Sequence, residues 1–168
     1  MAAAVLHAKL RLGLGLPGHH GLEWMTALLF ARCASGRAWA CLIVGLGAAT
    51  AEVALTVDPG HLPKAVSVYL LTAALVDVLY RATPPRLRGV AAAALIAALV
   101  YGAKPAVQLA IAALAGIEPG FMRHGTWFPI VTHVGFGLVG GACGAILARG
   151  LPRRGRPEDE AGDAGRAD

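Results

Sequence analysis

The sequence predicts an all-α protein, a polytopic bundle of transmembrane helices. Three observations predict it. Hydrophobic residues make up 57% of the 168 positions and charged residues 15%, too little polar surface for a soluble domain of this size. The apolar residues fall in long runs, with the charges mostly between them. Alanine and glycine carry much of the apolar count, as in helices that associate through close backbone contact.

The runs give the elements in order. Residues 1–18 form an interfacial or partly inserted lead-in with Lys9 and Arg11, ending in a Pro17-Gly18 turn. The lead-in lacks the apolar core and small-residue site of a cleavable signal. The first span covers about Gly21–Ala34. Ser35-Gly36-Arg37 is a tight loop, and Ala38–Val57 is a full span with Trp39 as interface anchor. Asp58-Pro59-Gly60 turns the chain into a third span, about Pro63–Tyr80. A basic loop with Arg81, Arg86 and Arg88 follows, and Pro84-Pro85 keeps any helix from crossing it. The next run, Gly89–Gly116, exceeds the ~20 residues one span needs. Lys104-Pro105 lies inside it, so a kinked or broken helix is expected there. After a loop over Ile117–Thr126, Trp127–Ala148 is the last span. The bundle thus occupies residues 19–150 with five to six spans, and residues 151–168 form a polar, disordered tail.

Basic residues orient the bundle. Arg32 and Arg37, Arg81, Arg86 and Arg88, and Arg149, Arg153, Arg154 and Arg156 fall on one side in the five-span count; Lys64 and Arg123 fall on the other, as do Lys9 and Arg11 of the lead-in unless it too crosses, as a sixth span. The positive-inside rule makes the first side cytoplasmic, with the C-terminus there. The predicted location is therefore the cell membrane, multi-pass. The net charge of +5 is read as topology, not as a nucleic-acid patch.

At about 1.5 Å per residue, Glu23, Glu52, Lys104, His133 and the adjacent Thr132 lie towards the outer side. Asp77 lies at the inner end, where Arg81 at i+4 would satisfy it. Ionisable groups at membrane depth usually face a cavity, a partner or a pathway. The segregation points to a cup opening outward, lined by Glu23, Glu52, Lys104, His133 and Thr132, for a small-molecule ligand. Lys104 and Glu52 could instead pair for structure alone. His19, His20 and Glu23 combine imidazole and carboxylate, which suits a divalent transition metal as ligand, with His61 or His124 to complete the set. A haem would need facing histidines, and only His133 is deep enough.

No catalytic set emerges: GxSxG, HExxH and P-loop motifs are all missing. The expectation is a non-enzyme with no cofactor. Cys33, Cys41 and Cys143 lack metal or CxxC spacing and read as small packing residues. Ala27 and Ala31, at i and i+4, are a small-residue face for internal packing or partner docking. Gly137, Gly141 and Ala145, with Gly140 and Gly144, make a denser stripe for close helix contact.

The chain resembles the substrate-binding (S) components of energy-coupling-factor transporters. The resemblance rests on the size, the Pro17-Gly18-His19-His20-Gly21-Leu22-Glu23-Trp24-Met25 entry into a span bearing Ala27-x-x-x-Ala31, the Arg-rich central loop, and the glycine-rich stretch from Pro129 to Gly141. It implies six helices and an outward pocket. It also implies that Ala27 and Ala31 dock a transmembrane coupling subunit driven by ATPase subunits. The expected function is a transport subunit capturing a small polar or anionic nutrient, or a metal ion. The alternatives are a non-catalytic membrane scaffold or assembly protein, and a metal- or haem-handling redox protein.

Overall fold

A computed structural model of the protein describes residues 18–55, 66–115, 125 and 127–151. The lead-in before Gly18, the Asp58-Pro59-Gly60 turn, Lys64, Arg123, His61, His124 and the tail beyond Leu151 lie outside the described residues. Those described form five α-helices and no strand. They are α1 (His20–Ser35), α2 (Ala40–Leu55), α3 (Thr72–Ala82), α4 (Val90–Ala115) and α5 (Trp127–Arg149). A π-helical segment, Val66–Leu71, runs directly into α3.

Local chemistry sets the ends. The Gly18 carbonyl accepts the Gly21 N–H at 2.8 Å, closing the first turn of α1. Gly36, left-handed at φ 63°, stops α1, a conformation that costs glycine nothing. Thr83 ends α3 in extended conformation, as a residue before proline prefers. Pro85 then opens a single 3-10 turn, Pro85–Leu87. In α5, Pro129 sits in the first turn, where no intrahelical donor is needed.

Of the kink or break expected at Lys104-Pro105, the break is not formed. α4 runs 26 residues through Pro105. Proline cannot donate to the Tyr101 carbonyl and crowds it, at roughly 3 kcal/mol. Pro105 and Tyr101 are both buried, so tertiary packing supports the helix across the defect.

α5 seats two helices at once. A Cβ placed on Gly137 would lie 2.6 Å from the Ala97 carbonyl oxygen, and one on Gly141 2.6 Å from that of Ala93, both in α4. On the neighbouring face, a Cβ on Gly140 would meet the Leu22 carbonyl at 2.7 Å, and one on Gly144 that of Thr26 at 2.5 Å, both in α1. Only glycine permits either approach. The Thr26 hydroxyl donates to the Leu22 carbonyl (2.6 Å) and also faces the Gly140 carbonyl (3.1 Å), bridging α1 and α5. α2 and α3 form the other flank. Gly45 of α2 packs against the Tyr69 carbonyl of the π-helical segment.

The outer surface is apolar. Leu95 and Leu99 of α4 are exposed, as are Val131, Ile146 and Leu147 of α5. Val90–Ala110 and Trp127–Arg149 are long and apolar enough to cross a membrane. Only 28% of the apolar window of α5 is buried, whereas the core helix of a soluble protein would be largely covered.

Gly137→Ala and Gly144→Ala should each destabilise the bundle by about 1–3 kcal/mol, because backbone rather than a mobile side chain must give way. Gly135, on the same helix, has open space where its Cβ would be. Gly135→Ala should be neutral or stabilise by roughly 0.5–1 kcal/mol. Equilibrium unfolding in detergent measures all three.

Candidate functional site

The arginines converge at one end of the bundle. The Arg81 guanidinium lies 4.7 Å from the Trp39 ring centroid, joining the loop before α2 to the end of α3. Gly89, before α4, lies beside the Arg149 side chain of α5. Arg88 donates to the carbonyls of Thr83 (2.9 Å) and Arg81 (3.0 Å), bracing the loop after α3.

Asp77 is the buried centre of this end, and its partner differs from the one expected. Its carboxylate is fully buried and pairs with Arg32 of α1, Nε to Oδ1 at 3.6 Å. Arg81 is exposed and turns to Trp39 instead. Spacing at i and i+4 makes an ion pair available, but a buried carboxylate needs a cation that is buried with it. Asp77 Oδ2 also accepts the Leu42 N–H at 2.9 Å. That donor is in the first turn of α2, where N–H groups lack intrahelical acceptors and favour negative charge. Arg32 Nη1 donates to the Arg37 carbonyl, and its guanidinium stands 5.0 Å from the Tyr80 ring centroid. One carboxylate and one guanidinium thus tie α1, the following loop, α2 and α3 together. We read this as structural machinery, not as a ligand site.

Asp77→Ala should cost about 3–5 kcal/mol, since it strands a buried guanidinium. Asp77→Asn should cost less, because an amide oxygen can still accept from Leu42. The pair Arg32→Met with Asp77→Leu should recover part of the Asp77→Ala loss. Thermal unfolding of the three variants tests the order.

The candidate site is at the opposite end. His133 is buried on α5, two turns into the helix, and its ring stacks on Tyr101 of α4, with centroids 4.9 Å apart. His133 Nδ1 lies 2.7 Å from the Pro129 carbonyl. A carbonyl only accepts, so Nδ1 carries a proton, and in the neutral ring Nε2 keeps a lone pair. The Lys104 ammonium is 6.0 Å from the Tyr101 ring centroid, at the limit of cation–π range. The start of α1 covers both rings. A Cβ on Gly18 would fall 2.7 Å from His133 Nδ1, and Gly21 lies against the Tyr101 ring.

A second aromatic pair lies beside α1. Trp24 of α1 meets Tyr69 of the π-helical segment edge-on at 5.1 Å, and the buried Trp24 Nε1 has no hydrogen-bond partner. Glu52 of α2 lies within electrostatic range of Tyr69. π-helical turns are frequent at functional sites because they re-aim side chains.

The expected cup lining therefore divides. Lys104 and His133 come together around Tyr101. Glu52 belongs to the Trp24–Tyr69 side, on a helix that packs chiefly on α1, α3 and the π-helical segment. Glu23 is half-buried in the first turn of α1. Thr132 spends its hydroxyl proton on the carbonyls of Phe128 (3.0 Å) and Pro129 (3.1 Å), which leaves it only as an acceptor. The His19 and His20 rings are 3.9 Å apart. Among the described residues, however, no group of three or more His, Cys, Asp or Glu side chains is placed to hold a metal ion. His61 and His124, expected to complete a set with His19, His20 and Glu23, lie outside the described residues. Ala27 and Ala31 are half-buried.

The sequence reading missed Tyr101, Tyr69 and Trp24. A signal was available: in a chain only 6% aromatic, Trp24 adjoins Glu23 and Tyr101 stands three residues before Lys104. Comparisons with protein-family models, with characterised proteins and with solved structures return no match. The fold alone defines the class, an all-helical bundle with two helices long and apolar enough to cross a membrane.

Proposed function

We propose that the protein is a multi-pass integral membrane subunit that binds a small polar or anionic ligand at the end of the bundle opposite its arginines. In this reading all five described helices lie in the membrane, the Arg81–Arg88 loop and Arg149 are cytoplasmic, and the ligand enters from outside. The observation that carries it is the Lys104–Tyr101–His133 cluster beneath the start of α1. It brings together an ammonium, a phenol and an imidazole, at a depth where such groups are expensive to keep. The exposed apolar faces of α4 and α5 support the membrane setting.

The resemblance to energy-coupling-factor S components extends the proposal. The protein would pass its ligand inward together with a coupling subunit and ATPase subunits, docked through Ala27 and Ala31, and would carry out no chemistry itself. The scaffold alternative draws no support from Gly137, Gly140, Gly141 and Gly144, which are taken up by contacts within the chain.

Purified protein should be warmed with panels of small carboxylates, phosphates, vitamins and divalent metals. A true ligand at a hundredfold excess over its Kd adds about 2.7 kcal/mol of stability. Lys104→Ala and His133→Ala should remove that shift while leaving the unliganded protein folded. No shift with any compound, and no difference between these variants and the parent, would reject the reading. The topology has its own check. Cysteines introduced at Arg86 and Gly125 should react with an impermeant thiol reagent from opposite sides of the membrane.

A further inference from the structure

Resting on the membrane reading, we propose that the arginine end holds an anionic phospholipid, its headgroup phosphate at Arg81 and its acyl chains along α2 and α3. Charge is the first argument. Arg37, Arg81, Arg86, Arg88 and Arg149 gather at this end and are exposed. Asp77 is the one acidic residue there among the described residues, and it is buried against Arg32. Among the described residues these five cations therefore face no carboxylate.

Geometry is the second argument. The Arg81 guanidinium carbon is held 4.7 Å from the Trp39 ring centroid, which fixes at the indole a cation whose N–H donors suit a phosphate. Arg88 contributes in another way. Its Nε and Nη2 donate to the carbonyls of Thr83 and Arg81, so it stiffens the loop. Trp39 is partly exposed, as an indole at the headgroup level is expected to be.

The third argument is what lies along the two helices that this contact joins. Moving away from the arginine end, α2 exposes Ile43 (61%) and Leu46 (58%), and α3 exposes Val78 (50%), Leu75 (39%) and, just before it, Leu71 (57%). These apolar stripes start at the cation–indole pair and run down the bundle. A phosphate with two hydrocarbon chains matches that layout; a free phosphate would use only its top.

The test is lipid retention. Protein extracted in mild detergent should be exchanged into micelles containing equal phosphatidylglycerol and phosphatidylcholine, and the retained lipids counted by native mass spectrometry. The parent should retain phosphatidylglycerol in at least fivefold preference. Arg81→Gln should abolish the preference, and Arg81→Lys should keep only part of it. Arg149→Gln, at the far side of the same end, should change it little, which separates a site from general charge. Equal retention of the two lipids, or an unchanged preference in Arg81→Gln, would overturn the proposal. Displacement of the lipid by millimolar inorganic phosphate would also overturn it, by showing a free-anion site. If the protein washes from membranes without detergent, the membrane reading itself fails. If it stays but shows no preference, only this inference fails.

Discussion

The architecture depends on a charge that has nowhere else to go. Asp77 is fully buried, and its carboxylate is tolerable only because Arg32 is buried beside it and the first turn of α2 points an N–H at it. Each partner comes from a different helix. The pair therefore ties the end of α1, the start of α2 and the buried face of α3 together. Hydrophobic packing alone is non-directional and would let small, smooth alanine-rich helices slide. A buried ion pair supplies the register that such helices lack.

From α1 the constraint passes to the other half of the bundle. Gly140 and Gly144 bring α5 to backbone contact with α1, and Gly137 and Gly141 bring it to α4. This closeness determines the chemistry at the opposite end. Because α1 lies so near α4 and α5, Gly18 and Gly21 rest directly on the rings of His133 and Tyr101. A side chain at either glycine would displace the ring beneath it. The cluster proposed to bind a ligand is thus held by the same small residues that hold the helices. The two ends differ: the arginine end carries the buried ion pair, and the other carries the His133–Tyr101 stack.

Much of the fold was legible in the sequence. The run Gly21–Ala34 became α1 at His20–Ser35, and Gly89–Gly116 became α4 at Val90–Ala115. Helix bounds follow local signals such as Gly36 and Pro84, so a linear reading finds them. The glycine stripe was also visible as a place of close approach. The expected break at Pro105 failed because a single lost hydrogen bond is a local penalty, and packing across the helix outweighs it. The expected Asp77–Arg81 pair failed for the related reason that spacing shows which residues can meet, not which are buried. Half of the candidate site was found through its charges, Lys104 and His133. Tyr101, Tyr69 and Trp24 were passed over because spacing along one helix does not show which rings meet across helices.

The sequence by itself determined an all-helical chain of apolar, small-residue helices with its arginines collected between alternate runs. Composition and periodicity suffice for that, since backbone hydrogen bonds are satisfied within each helix whatever its neighbours are. Only the tertiary structure decided that Arg32 rather than Arg81 neutralises Asp77, that α4 continues through Pro105, and that His133 stacks on Tyr101 beneath Gly18 and Gly21. Each of these depends on which faces of different helices meet. That is a question of burial and distance across the bundle, which the spacing of residues along one helix does not contain.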